Sequence, residues 1–216
     1  MMFPRQMSAA VAAMLAVLAI AALAGGVWLL SQNDARKPAT IGTATVLPER
    51  RALPEFALRD HNGAPFTRAS LEGQTSVLFF GFTHCPDICP ATLQQLAMAR
   101  DRLAALAGSG GNALPEIILI SVDPARDTPE TLRRYIEYFG EGITAATASP
   151  EDLLVLTSAL GIFFEPVPTG DGTNYTVNHS TAVLVIDPRA RLQAIFSAPH
   201  TIDAFVQDLP LLIASR

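Results

Sequence analysis

The sequence predicts an α/β domain with a mixed central sheet flanked by helices, preceded by one N-terminal transmembrane helix. Residues 77–82 form a continuous apolar run, which is typical of a strand that is buried on both faces, and residues 117–122 are a second candidate of this kind. Each run is followed by a segment with a helix start signal, and strands that alternate with helices indicate an α/β architecture. A third apolar run, residues 9–30, has no charged side chain and is long enough to span a membrane, which takes about 20 such residues.

These runs divide the chain into four segments. They are a short tail (residues 1–8), the membrane anchor (residues 9–30), a polar linker (residues 31–50) and the folded domain (residues 51–216). A cleaved signal peptide is the alternative to the anchor, because Ala22-Leu23-Ala24 resembles a cleavage site. The apolar run continues past that site to Leu30, which favours an anchor that is not cleaved.

The N-terminal region also predicts the compartment. No Arg-rich amphipathic stretch comes before the apolar run, which argues against a mitochondrial presequence. A short tail and a long C-terminal domain favour translocation of the domain, because long domains cross a membrane largely regardless of the charges that flank the span. We therefore expect a bacterial inner-membrane protein with a single span and with its domain in the periplasm.

Local signals define the other elements of the domain. Asn62-Gly63 between short apolar segments predicts a hairpin. Pro90, Thr128-Pro129 and Ser149-Pro150 are typical of helix starts, where a proline loses no hydrogen bond. The last predicted elements are strands at residues 181–186 and 192–196 and a helix at residues 202–214.

Composition argues against two classes of protein. A net charge of −5 and the lack of a basic run give no reason to expect a nucleic-acid partner. The chain has only two cysteines, Cys85 and Cys89, which are too few for the disulfide framework of a domain this large. The cysteine pair therefore needs a chemical explanation of its own.

Cys85 and Cys89 lie between the first core strand and its helix, which is the arrangement of the thioredoxin fold. Two thiols this close can cycle between dithiol and disulfide, or they can bind a soft metal ion. Proline disfavours a helical conformation in the residue before it, so Pro90 predicts Cys89 at the helix cap and Cys85 in the preceding loop. The positive end of a helix favours thiolates, and we expect both sulfurs to be nucleophiles or metal ligands.

A third metal ligand must come from elsewhere in the chain, and His179 is the best of four histidines. It lies in a polar segment, residues 174–180, which we predict to be a loop that faces the cysteine loop of a thioredoxin-like sheet. His84 would need a strained loop to bind alongside the adjacent Cys85. His61 and His200 are interpreted as surface turn residues. Two thiolates and one imidazole favour copper as Cu(I) or Cu(II), and zinc with an added water stays possible.

Three motifs resemble the Sco/SenC family. They are GFTHCPDICP at residues 81–90, SVDP with RDTP across residues 121–129, and NHS at residues 178–180 before a strand. The motifs occur in the family order, and the resemblance covers about residues 50–210. Members of this family are membrane-anchored copper chaperones with a thioredoxin fold that serve the assembly of cytochrome c oxidase.

The resemblance implies that Cys85, Cys89 and His179 bind one copper ion. It implies a partner, the oxidase subunit that carries the binuclear copper centre, and it is compatible with a further periplasmic copper chaperone or thiol reductase. Family members often have Asp directly before the distal histidine, whereas this chain has Asn178. Asp87 and Asp123 are candidates for contacts around the metal ligands, although each also suits a purely local role in its turn.

Two alternatives to copper delivery remain at the level of sequence. A thiol–disulfide oxidoreductase would use Cys85 and Cys89 as a redox pair and would not need His179. A peroxidase of the same fold is less favoured, because its reactive cysteine lies in a Pro-x-x-x-Thr-x-x-Cys setting that this chain lacks. We therefore expect a metallochaperone rather than an enzyme.

Overall fold

The structure is a computed structural model that describes residues 41–107, 114–170 and 174–215, together with residues 14–15, 18–19, 21–23 and 25. Within this part of the chain, no helix combines the length and the apolar character that a membrane span requires. The tail predicted for residues 1–8, most of the anchor predicted for residues 9–30 and the first ten residues of the predicted linker lie outside the described residues.

The described domain combines strands, α-helices and short 3-10 turns. The strands are β1 (Thr45–Ala52), β2 (Ala57–Asp60), β3 (Pro65–Thr67), β4 (Ser76–Gly81), β5 (Glu116–Ser121), β6 (Ile143–Thr147), β7 (Phe164–Thr169), β8 (Asn174–His179), β9 (Val183–Ile186) and β10 (Arg191–Phe196). The α-helices are α1 (Ile88–Ala107), α2 (Pro129–Ile136), α3 (Pro150–Leu160) and α4 (Ile202–Ala214), and 3-10 turns occupy Arg68–Leu71 and Glu137–Phe139.

A mixed eight-stranded sheet forms the centre of the domain, in the order β1-β10-β9-β4-β5-β6-β2-β3. β4, β5 and β6 run parallel, and the other neighbours pair antiparallel. β7 and β8 pair with each other as a separate two-stranded hairpin. The predicted α/β class with a mixed sheet flanked by helices is confirmed, and it is consistent with a thioredoxin-like fold.

The central strands are where the apolar runs of the sequence predict them. Every residue of β4 and of β9 is buried, and β5 is buried from its second residue onwards. Large side chains of these strands, such as Phe79 and Phe80, are completely inaccessible to solvent. Burial on both faces explains why these strands are continuously apolar rather than alternating.

Side-chain caps fix where three of the helices begin. Thr128 accepts a hydrogen bond from the backbone N–H of Thr131 at the start of α2, and Ser149 accepts one from Asp152 at the start of α3. Thr201 caps α4 in the same way. Each cap satisfies one of the N–H groups that a helix leaves without a partner in its first turn.

Several strands were not predicted from the sequence. β1 includes residues 45–50 of the segment interpreted as a linker. It pairs with β10 and forms one edge of the sheet. β6 is a short strand of small residues, and the β7–β8 hairpin includes the segment 174–179 that was predicted as a loop. These strands lack a long apolar run, and their extended conformation comes from pairing with neighbours that are distant in sequence.

The topology brings three segments to one edge of the sheet. β4 and β5 are parallel, so the cysteine loop after β4 and the turn after β5 leave the sheet side by side. β9 is antiparallel to β4, and Val183 at its start pairs with Phe79 near the end of β4. The segment before β9, which contains His179, therefore lies next to the cysteine loop. Sites in α/β proteins form at such strand ends.

Candidate metal centre

The two cysteines lie on either side of the start of helix α1. The backbone N–H of Cys85 donates to the carbonyl of Phe82 at 3.2 Å, which closes the loop after β4. Cys89 lies in the first turn of α1, and its backbone N–H donates to Sγ of Cys85 at 3.4 Å. The prediction that Cys89 occupies the helix cap is wrong, because α1 begins one residue earlier, at Ile88. Pro90 is tolerated there because backbone N–H groups of the first turn have no partner within the helix.

A glycine makes room for the buried thiol. Cys89 is completely buried, whereas Cys85 is partly exposed. A Cβ atom placed on Gly81, the last residue of β4, would lie 3.0 Å from Sγ of Cys89 and 2.9 Å from the ring of Phe79. Only glycine therefore allows the backbone of β4 to approach this sulfur so closely.

His179 completes the group from the end of strand β8. Its Nε2 lies 3.4 Å from Sγ of Cys89. Its Nδ1 lies 2.9 Å from the carbonyl oxygen of Ser180, and because that oxygen can only accept, Nδ1 carries the hydrogen. The lone pair of Nε2 is then directed at the sulfur. The rings of Phe79 and Phe82 meet the imidazole edge to face and hold its orientation.

The charge states at the site follow from burial. Burial lowers the pKa of His179, which outweighs the opposite effect of its hydrogen bond to Ser180 and favours the neutral imidazole that can bind a metal. Burial also raises the pKa of the Cys89 thiol, and contact with Cys85 raises it further. Burial therefore opposes the thiolate that the helix start was expected to favour at Cys89.

One ligand atom from each of Cys85, Cys89 and His179 lies within 4.8 Å of the other two. The three residues are the set predicted from the sequence, and the structure brings them together from a loop, a helix and a hairpin. Two sulfurs and one nitrogen at this separation can bind a single soft metal ion. The two sulfurs alone can form a disulfide, so the same geometry allows redox chemistry.

A second group of side chains lies beside the first and consists of His84, Asp123 and Asp127. Both carboxylates are buried and engaged by protein donors. Asp127 accepts hydrogen bonds from the backbone N–H and the hydroxyl of Thr83 and from the hydroxyl of Ser121. Protein hydrogen bonds therefore already use the carboxylate oxygens that a metal ion would need, and the two carboxylates hold neighbouring segments together.

Three further residues singled out from the sequence are Asp87, Asp123 and His200. Asp87 is exposed, and its backbone carbonyl accepts a hydrogen bond from Ala91 at the start of α1. Asp123 makes no hydrogen bond to Cys85, Cys89 or His179, but it pairs with Arg126 and accepts a hydrogen bond from Tyr175. His200 was predicted to be a surface turn residue, and this prediction is wrong. The residue is buried against Phe205, and its Nε2 donates to the carbonyl of Thr181.

Sequence reasoning missed three residues that hold the site in place: Arg126, Asp127 and Tyr175. Their contacts join segments 44 to 52 residues apart in the chain, as in the bonds from Thr83 to Asp127 and from Tyr175 to Asp123. The one signal in the sequence that pointed to these residues was the motif after a buried strand that contains Asp123 and Asp127. A motif of this kind marks the end of a strand but does not identify the distant partner.

The SCO1/SenC family model matches residues 44–214, which is most of the chain and all three metal-binding candidates. The chain belongs to the SCO1/SenC family. The family resemblance of its cysteine, aspartate and histidine motifs is thereby confirmed, and the matched region coincides with the described domain.

Relatives and solved structures of the family agree with this assignment. The chain is 37% identical over 168 residues to a protein of Stutzerimonas stutzeri named "Putative copper-binding protein", covering 78% of this chain and 80% of that one. It is 32% identical to the mitochondrial SCO2 homolog of Bos taurus, covering 76% of this chain but only 61% of the bovine protein. The crystal structure of ScoI from Arabidopsis thaliana with copper bound matches at 29% identity with a TM-score of 0.69, covering 76% of this chain and 98% of that one.

Proposed function

We propose that this SCO1/SenC protein is a membrane-anchored copper chaperone. It binds one copper ion through Cys85, Cys89 and His179 and delivers it to the binuclear copper centre of cytochrome c oxidase during assembly. The observation that carries the proposal is the convergence of two thiols and a neutral imidazole within 4.8 Å at one edge of the sheet. Thiolates and an imidazole form a soft ligand set that suits Cu(I) and tolerates Cu(II).

Family membership supports copper as the cargo. The Arabidopsis relative is described with copper bound, and the Stutzerimonas relative is named for copper binding. Zinc would fit two thiolates and one imidazole only with a fourth ligand such as water. The nearby carboxylates of Asp123 and Asp127 already accept hydrogen bonds from Tyr175 and Thr83 and are not free to supply that ligand. A three-ligand copper site therefore fits this chain better.

We further propose that residues 9–30 anchor the protein in a bacterial inner membrane, with the domain in the periplasm. The support is the uncharged apolar sequence of this segment. In this compartment the partner is the copper-centre subunit of the oxidase. A thiol reductase or another periplasmic copper chaperone is a further partner, because Cys85 and Cys89 can bind copper only when they are reduced.

The second candidate function is thiol–disulfide exchange, which one observation favours. Cys85 is partly exposed, and the backbone N–H of Cys89 donates to its sulfur, as suits an attacking thiolate. In this reaction the thiolate of Cys85 attacks a partner disulfide and forms a mixed disulfide. Cys89 then displaces the partner, so that one disulfide forms here, the partner becomes a dithiol, and two electrons and two protons pass to it.

His179→Ala separates the two functions. Removal of one of three ligands is expected to weaken Cu(I) binding by at least about 100-fold. Changes to residues that only orient a ligand already weaken metal binding by up to about 100-fold. The Cys85–Cys89 disulfide is expected to form as in the wild type. Cu(I) affinity is measured on the full chain by competition with a chromophoric chelator, and disulfide formation by thiol titration.

His84→Ala is the matched control. His84 is adjacent to Cys85 in the sequence, but its side chain is 54% exposed and its Nδ1 contacts Thr83. We expect this variant to keep the wild-type affinity for Cu(I). Wild-type affinity in His179→Ala, or an equal loss in both variants, would contradict the ligand assignment and leave thiol–disulfide exchange as the better account.

A further inference from the structure

The turn after strand β5, residues 123–127, contacts both halves of the candidate copper site. Its two ends carry the buried carboxylates Asp123 and Asp127, and the backbone N–H of Asp127 donates to the carbonyl of Asp123 at 2.9 Å. This hydrogen bond makes the turn a compact unit at the end of a buried strand. Each carboxylate is directed towards a different segment of the site.

Asp127 holds the segment that carries the thiols. Its carboxylate accepts from the backbone N–H of Thr83 at 3.0 Å and from the hydroxyl of Thr83 at 2.6 Å. Thr83 is two residues before Cys85, in the loop that leads into α1. The carboxylate therefore fixes the start of the cysteine loop with two hydrogen bonds from a single residue.

Asp123 holds the hairpin that carries His179. Its carboxylate accepts a hydrogen bond from the hydroxyl of Tyr175 in β8 at 2.7 Å and pairs with the guanidinium of Arg126. Arg126 in turn donates to the backbone carbonyl of Tyr175 at 3.1 Å, and its guanidinium lies 3.8 Å from the centre of the Tyr175 ring. Tyr175 is thus held at its hydroxyl, its ring and its backbone.

These contacts add to the apolar packing of the hairpin, in which the buried Val177 of β8 belongs to the hydrophobic core. In the described part of the chain, β7 and β8 pair only with each other and not with the eight-stranded sheet. An isolated two-stranded hairpin is marginally stable in water. Tyr175 and His179 are four residues apart in one strand, so their side chains lie on the same face, with the buried Val177 between them. A constraint on Tyr175 is therefore passed along a short strand to His179.

We propose that Asp123, Arg126 and Tyr175, which we call the latch, are positioning residues that set the distance between His179 and the two thiols. The proposal rests on the proposed function, in which His179 is a copper ligand. None of the three latch residues is a ligand itself. The latch acts on copper affinity through His179 and leaves the reactivity of the partly exposed thiol of Cys85 unchanged.

Tyr175→Phe is the sharpest test, because it keeps the ring over Arg126 and removes only the hydrogen bond to Asp123. Asp123→Asn is a second variant, and Tyr138→Phe, at a residue that is 84% exposed, is the matched control. Each change is made in the full chain with His179 present and with His179→Ala. We measure Cu(I) affinity by chelator competition, the nitrogen hyperfine pattern of the Cu(II) form, and the rate of thiol alkylation without metal.

The expected result is a coupling between the latch and His179. Tyr175→Phe and Asp123→Asn should weaken Cu(I) binding by at least about 10-fold with His179 present, a typical loss for residues that orient a metal ligand. They should have no effect in the His179→Ala background, and alkylation of the partly exposed Cys85 should keep its wild-type rate. Tyr138→Phe should change nothing.

Three outcomes would overturn the proposal, and they can be told apart. Equal losses of affinity with and without His179 would overturn the latch alone, because the effect would not pass through the histidine. No loss of affinity in either variant would also overturn the latch alone, because the latch residues would then not affect copper binding. If His179→Ala itself kept wild-type affinity, the ligand assignment would fall, and the latch with it. The nitrogen hyperfine pattern identifies which case holds, because it reports the histidine directly.

Discussion

Gly81 constrains the candidate copper site without being part of it. It ends strand β4, and any side chain there would contact Sγ of Cys89 and the ring of Phe79 at about 3 Å. Its role is steric, because the sulfur of Cys89 occupies the space where a Cβ atom would be. The position of this thiol therefore depends on a residue that contributes no chemistry.

Gly81→Ala is expected to destabilise the domain by about 1–3 kcal/mol, the usual effect of an added methyl group in a packed core. It should also weaken Cu(I) binding, since Cys89 must move to relieve the contact. Urea unfolding gives the free energy of unfolding, and chelator competition gives the affinity. A variant with wild-type stability and wild-type affinity would show that the strand does not limit the position of Cys89.

At the residue scale, sequence reasoning found the three candidate ligands but not the residues that hold them. Cys85 and Cys89 are the only cysteines, and His179 lies in a family motif. The partners of Tyr175 and Asp127 could not be identified from the sequence, because a hydrogen bond between residues 44 to 52 positions apart depends on the packed fold. The raised pKa of the Cys89 thiol could not be predicted from the sequence either, because it results from burial in the core.

At the scale of elements, helix α4 holds the N-terminal end of the described domain. Asp208 of α4 is completely buried, and it accepts hydrogen bonds from the backbone N–H groups of Gly42, Thr43 and Ala44 and from the hydroxyl of Thr43. Burial alone would raise the pKa of Asp208, but these donors outweigh burial and lower it. The chain segment that enters strand β1 is thus fixed to the last helix.

This lowered pKa predicts how stability depends on pH. A carboxyl group with a lower pKa in the folded state stabilises the fold above its unfolded pKa of about 4, and this contribution is lost as the pH falls through the folded value. Asp208→Asn should therefore reduce the free energy of unfolding by about 2–3 kcal/mol at pH 7, as expected for hydrogen bonds to a charged group. Below pH 4 the difference from the wild type should shrink.

Urea unfolding at a series of pH values measures this difference, and Asp203→Asn is the matched control. Asp203 lies on the same helix, but its side chain is 86% exposed and pairs with Arg102 at the surface. Surface pairs of this kind contribute about 0–1 kcal/mol, so the control should stay close to the wild type. The same pH profile in both variants would contradict the role given to Asp208.

The elements themselves were predictable to different degrees. Helices α2 and α3 begin where Thr128 and Ser149 predict, because their caps are local and depend on adjacent residues. Strands β7 and β8 were not predicted, since prolines at residues 166 and 168 and exposed polar side chains weaken the usual strand pattern. Their pairing with each other, rather than their composition, makes them strands.

At the scale of the whole molecule, the order of strands and helices was enough to predict the architecture. Buried parallel strands need crossover helices, so two apolar runs with helix starts between and after them restrict the possible topologies. The position of the site follows from the same rule, because the ends of β4 and β5 and the start of β9 share one edge of the sheet. The membrane anchor and the compartment remain predictions from residues 9–30.

The central claim is that two sulfurs and one nitrogen bind a single copper ion. X-ray absorption spectroscopy of the full chain loaded with one equivalent of Cu(I) tests this claim most directly, because it counts the sulfur and nitrogen neighbours of the metal. We predict two sulfur neighbours and one nitrogen neighbour, with the nitrogen lost in His179→Ala. A shell of sulfur alone in the wild type, or a nitrogen that persists in His179→Ala, would contradict the proposed site.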